Sequence, residues 1–126
     1  MPRIIFLLAA LLLGGGHTLA AQTARGDTAA VVAVAQALLN TLATRDTAAA
    51  GALLGPGFTL VATRSDTASG ARAQDRASFL RTLTEGSERL LERMWSPVVH
   101  VQGPLAVVWT PYDFHVDGQF SHCGID

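Results

Sequence analysis

Asp117 and Gly118 separate LAVVWTPYDFHV from QFSHCGID, two runs of strand-forming residues at the end of the chain. A two-residue hairpin link needs positive φ at both central positions, which glycine takes freely and aspartate tolerates. The dipeptide therefore predicts a tight hairpin, and its strands must run antiparallel. Pro111 has no N–H to give to a ladder, so it marks an edge or a bulge in the first strand.

Upstream the apolar repeat lengthens from two residues to that of a helix. In DTAAVVAVAQALLNTLATRD, Val31, Ala35, Leu38 and Leu42 form one stripe, which Val34 and Leu39 widen. The spacing predicts a helix over 28–44, with Asp27 or Thr28 accepting from the free N–H groups of its first turn. Asp46 caps a shorter helix, TAAAGALL, which Gly55 and Pro56 stop. GFTLVAT alternates as a strand, and RSDTASGAR reads as a polar loop. QDRASFLRTLTEG predicts a third helix, capped by Asp75 and ended at Gly86, with Phe79, Leu80 and Leu83 on one face. SERLLERMWSPVVHV fits either state: Leu90, Leu91 and Met94 suit a helix, while Trp95, Val99 and Val101 prefer a strand. QGP at 102–104 is a turn signal. Helices come first and a meander of strands last, which predicts an α+β fold with helices on one face of a curved antiparallel sheet.

The start of the chain has a different purpose. Arg3 precedes an apolar run from Ile4 to Leu13 and a tail of small residues ending near Ala20 and Ala21. That is the layout of a secretory signal peptide over 1–21, leaving a domain at 22–126 and an exported location, periplasmic or secreted. The run is too short to span a bilayer, which needs about 20 apolar residues, so no membrane association is expected after cleavage. All 9 basic residues are arginines, scattered singly in a chain of formal net charge -1. Nucleic acid, which needs a clustered basic face, is not an expected partner. Cys123 is the sole cysteine, which excludes an intrachain disulfide and a cysteine zinc site. It reads as a buried structural thiol. The histidines lack metal-binding spacing, so no metal and no cofactor are expected. Arg72 and Arg76 near the third helix read as solvated.

Three stretches together resemble the nuclear transport factor 2-like (SnoaL-like) superfamily, over roughly residues 28–126. They are the long and short helices followed by GFTLVAT; QDRASFLRTL between strand regions; and VVWTPYDFHVDGQFSHCGID, similar to the paired strands of the small exported, lumazine-binding-like branch. The resemblance implies a cone-shaped roll, with about three N-terminal helices packed on the curved sheet. It makes 88–101 a strand. It also implies a closing strand beyond Asp126 that the chain is expected to lack, as a fragment or as a short form. Members include isomerases, cyclases, hydrolases and non-catalytic binding domains, so the fold does not select a reaction.

Regular pairing outward from Asp117–Gly118 sets Asp113 opposite His122 and Trp109 opposite Asp126. Alternation then gathers Trp109, Asp113, His115, Phe120, His122 and Asp126 on one face. A carboxylate beside an imidazole raises the ring's pKa and orients it, so Asp113 and His122 are the candidate acid–base pair. Trp109, Tyr112, His115, Phe120 and Asp126 are candidate pocket residues. The leading expectation is an exported domain that binds a small apolar or aromatic molecule in its cone, with no reaction assigned. The alternatives are an isomerase, cyclase or hydrolase using Asp113 and His122, and a structural module whose sheet forms a homodimer.

Overall fold

The computed structural model describes the backbone of residues 16–63 and 70–126, with side chains from Asp27 onward. The fold is α+β, with three helices and antiparallel sheets that do not close. The helices are α1 (Gly16–Thr44), α2 (Thr47–Leu53) and α3 (Arg76–Glu85). The strands are β1 (Thr59–Ala62), β2 (Arg72–Asp75), β3 (Leu90–Met94), β4 (Val98–Gln102), β5 (Leu105–Trp109), β6 (Pro111–Val116) and β7 (Gln119–Ile125).

Helix α1 begins well before the expected start at 28. Asp27 and Thr28 lie inside it and are not its caps. The stretch before them holds Leu19, Ala20, Ala21, Gln22, Ala24 and Arg25, good helix formers that carry the helix past Gly26. Its segment Asp27–Thr44 is long and apolar enough to cross a membrane by length and composition alone. Its contacts with β3, β4 and β5 give that apolar stripe a place in the fold. Of the predicted stripe, Leu42 is buried and Val31, Ala35 and Leu38 are half-buried. Residues 1–15, which hold most of the expected leader, lie outside the described residues.

The caps of the other two helices match their residue chemistry. Asp46 accepts from Ala49 N at 2.9 Å, and Asp75 accepts from Ser78 N at 2.8 Å. Gly86 ends α3. Asp46→Ala should lower stability by about 1 kcal/mol, the usual cost of losing an N-cap acceptor. A urea midpoint that falls at unchanged slope is the expected reading, and an unmoved midpoint would show that the cap adds nothing.

Two arginines tie the helices together. Arg76 was expected to be solvated, yet it is half-buried and donates to Leu54 O at 3.0 Å and Gly51 O at 2.7 Å. It thereby satisfies carbonyls left free at the end of α2. Arg45 adopts φ 52 just after α1 and reaches Leu83 O at 3.0 Å and the Glu88 carboxylate at 3.2 Å. Its guanidinium lies against Gly86, where a Cβ would collide with it. The core is Leu42, Ala50 and Leu83, with Leu38, Leu39, Phe79, Leu80, Leu90 and Phe114 packed around it.

A short strand starts at the last residue of the expected loop and runs to the cap of the third helix. Arg72–Asp75 pairs with β1, Thr59 opposite Asp75 and Ala62 opposite Arg72. Residues 64–69, the first part of the expected loop, lie outside the described residues. The ambiguous segment 88–101 is strand, but in two pieces. Met94 pairs with Tyr112 and Val98 with Trp109, so one extra residue sits between β3 and β4. Ser96, at φ 41, takes up the excess. Across from it Thr110 is buried, and its hydroxyl donates to Trp95 O at 3.1 Å and Pro111 O at 3.0 Å. β3–β4 and β5–β6 therefore form one long hairpin bent at this point, closed by Gly103 and Pro104. Pro111 opens a central strand, flanked by β3 and β7, not an edge. As its first residue it costs no interior ladder bond.

Candidate functional site

The hairpin turn forms as expected. Asp117 has φ 51, Gly118 φ 80, and Val116 pairs with Gln119. Asp117 also braces β3, accepting from Arg89 N at 2.8 Å through its carboxylate. The register then departs from the regular count. His115 pairs with Phe120, but Phe114 pairs with His122 and Asp113 with Cys123. Ser121 is the surplus residue of a β-bulge, which reverses the facing of everything after it.

The expected pair is therefore broken. Asp113 and His122 lie on opposite faces of the sheet. Trp109, Asp113, His115 and Phe120 stay together on the outer face, away from the helices. His122 and Asp126 turn to the inner face, where they join Tyr112. Cys123, expected to be buried, is exposed on the outer face. Trp109 and Phe120 are 60% and 61% exposed, so neither is an enclosed pocket wall within this chain.

Asp113 has a different partner. Arg93 on β3 holds it in a two-pronged bond, Nε to Oδ1 at 2.8 Å and Nη2 to Oδ2 at 2.6 Å. The guanidinium holds the Asp113 carboxyl below the usual carboxylate range, with a smaller contribution from His115 at 3.5 Å. Arg93 also lies over the Trp95 ring, 5.1 Å from its centre. This outer cluster is charge-balanced.

The inner face holds a more reactive set. Glu92 on β3 points the same way as Leu90 and Phe114, which pack on the core. Beside it stand Tyr112 and Phe114 on β6, then His122 and Asp126 on and after β7. Asp126 is held in register by paired backbone bonds with Thr110 at 2.9 and 3.0 Å. Burial raises the Glu92 pKa from 4.5 to about 8, and a hydrogen bond and repulsion from Asp126 push the same way. Glu92 thus holds its proton to higher pH than an ordinary carboxyl. Burial and the same two acids also raise the Tyr112 phenol.

Three rings line the same cleft as these acids. The His122 ring meets Tyr112 edge-on at 5.8 Å and lies tilted on Phe114 at 5.0 Å. Gly124 makes room for Tyr112: a Cβ there would come within 2.9 Å of the tyrosine ring. Leu60, Val61, Ala62 and Thr63 at β1 close the other side, enclosing a cleft of about 280 Å³. Glu92 and Phe114 are absent from the sequence-derived site. Their signal was the alternation of Leu90, Glu92 and Met94, which sets one acid on an otherwise apolar face.

A larger cavity of about 550 Å³ lies among Arg45, Phe79, Leu83, Glu88 and Leu90. It is more open, and Arg45 and Glu88 there are already paired with each other, Arg45 also with the Leu83 carbonyl of α3. The smaller cleft is the better candidate because its acids have only one another. Among the described residues no three His, Cys, Asp or Glu side chains are grouped to hold a metal ion. Comparison with known protein families, curated proteins and solved structures finds no match to this chain.

Proposed function

We propose that the chain is an exported, cone-shaped domain of the nuclear transport factor 2-like kind that binds a small apolar or aromatic molecule on the inner face of its sheet. One observation carries the reading. The cleft between β1 and that face has aliphatic and aromatic walls and a few converging polar groups, Glu92, His122 and Asp126. Concave sites of that make-up are where small ligands bind. The order of elements, two helices, two short paired strands, a third helix and then a bent antiparallel meander, agrees with the roll. The apolar start of the chain agrees with export. The acid–base reading through Asp113 and His122 is set aside, because the sheet lies between them. Titration with indole, followed by amide shifts in NMR, tests the proposal. Saturable shifts should centre on Tyr112, Phe114 and His122 and spare Leu91 and Phe120. Shifts centred instead on Phe79 and Leu83 would refute this site.

A second reading, pairing of two copies through the sheet, rests on the outer face. Leu91, Trp95, Val98, Leu105, Val107, Trp109, Phe120 and Ile125 are each between 44% and 64% exposed. The pairings set Leu91, Phe120 and Ile125 on the outer face of β3–β6–β7, and Val98, Leu105, Val107 and Trp109 on one face of β4–β5. A standard interface takes about 800 Å² from each partner, which large exposed apolar side chains supply. Monomers rarely leave so large an apolar patch in water. Sedimentation equilibrium should show a dimer, and Trp109→Asp should dissociate it. A monomer at every concentration would end this reading.

A further inference from the structure

We infer that the ligand of the inner cleft is a small organic cation, an amine or quaternary ammonium group carried on an aromatic or apolar body. This rests on the binding reading above and adds the ligand's charge.

The first argument is the charge of the lining. Two carboxyl groups, Glu92 and Asp126, face the cleft, and no lysine or arginine is among the residues that form it. Five other acids among the described residues are supplied with donors. Asp113 has Arg93, Glu88 has Arg45, and Asp46, Asp75 and Asp117 each accept from a backbone N–H. Glu92 and Asp126 have each other, an arrangement in which both cannot ionise cheaply. An entering cation removes that conflict, while an anionic ligand would deepen it.

The second argument is the rings. Tyr112, Phe114 and His122 line the same cleft as the acids, with the His122 ring 5.8 Å from Tyr112 and 5.0 Å from Phe114. The negative faces of aromatic rings attract ammonium groups, and several rings about one point form a cage for them. Gly124 maintains this geometry by letting the Tyr112 ring lie across β7. The third argument is size. A volume of about 280 Å³ is that of about nine liquid waters at roughly 30 Å³ each. That suits one ring with a short charged arm.

Binding then has a proton balance. The cation enters, the Glu92 proton leaves to solvent, and the ionised Glu92 faces the positive charge beside Asp126. Affinity should therefore rise with pH until Glu92 is ionised without help.

Calorimetry with three probes tests this: benzyltrimethylammonium, whose charge does not titrate, 3-phenylpropanol and 3-phenylpropanoate. The cation should bind about tenfold or more tighter than the alcohol, and the carboxylate weakest. Between about pH 6 and pH 8.5 the affinity for the cation should rise about tenfold, with proton release seen as a dependence of the heat on buffer. Glu92→Gln should flatten that pH dependence. Asp126→Asn, at an exposed position, should weaken cation binding about tenfold and alcohol binding by much less. Circular dichroism melts identify folded variants, and Asp126→Asn serves if Glu92→Gln fails to fold. An alcohol that binds the native chain as tightly as the cation would overturn the inference while leaving the binding reading intact. Failure of all three probes would overturn both.

Discussion

Replacing Leu83 by alanine is expected to cost about 3 kcal/mol of stability, within the roughly 2–5 kcal/mol seen for buried leucines. Leu83 is 3% exposed and sits at the centre of the core, between Leu42 on α1 and Ala50 on α2. The cost has two parts, the lost transfer energy and the cavity left behind. Little around the site can collapse into that cavity. Leu83 O accepts from Arg45, which pins the end of α3, and Ala50 has no side chain to extend. Only Leu42, Ala50, Leu54 and Leu83 are buried hydrophobics among the described residues. A domain of this size has about 5–15 kcal/mol in all, so one leucine is a large share. Urea melts of the two chains measure it. A loss below about 1 kcal/mol would mean that the core lies elsewhere or that the site relaxes.

Raising the pH from about 5 to about 9 should destabilise the fold through Glu92, and Glu92→Gln should remove most of the slope. The unfolded carboxyl titrates near 4.5 and the folded one near about 8. Between those values the folded chain holds a proton that the unfolded chain has released. Stability is therefore full below the unfolded pKa, falls as pH rises through the window, and levels off above the folded pKa. Each unit of separation is worth about 1.4 kcal/mol at most. The half-buried position and solvent screening reduce the total to about 2 kcal/mol. Melts of native and Glu92→Gln chains across this range isolate the effect from other titrating groups. Parallel pH profiles for the two would mean that Glu92 ionises normally.

The helices and turns were legible because their signals are local. Asp46, Asp75 and Gly86 act within one turn of the backbone they cap, and Asp117–Gly118 needs only its own dihedral angles. The start of α1 was misplaced because a good cap at Asp27 competes with good helix formers before it, and the helix formers prevail. The short strand at Arg72–Asp75 was missed for want of apolar alternation; its pairing with β1 sustains it. The site was half legible. Tyr112, His122 and Asp126 were named, but Asp113, His115, Trp109 and Phe120 were grouped with them. Neither Ser96 nor Ser121 advertises a bulge, and each adds one residue that no periodicity predicts. Glu92 stayed hidden because its segment carried leucines at helical spacing and valines at strand spacing together.

The surplus serine also sets the phase of the chain's last five residues. With Ser121 in place, His122, Gly124 and Asp126 look toward the helices while Cys123 and Ile125 look away. Deleting that one residue would exchange the two sets in a single step, sending a thiol and an isoleucine inward and the acid outward. A frame this easily inverted lets a lineage trade a polar pocket floor for an apolar one without altering any residue that lines it.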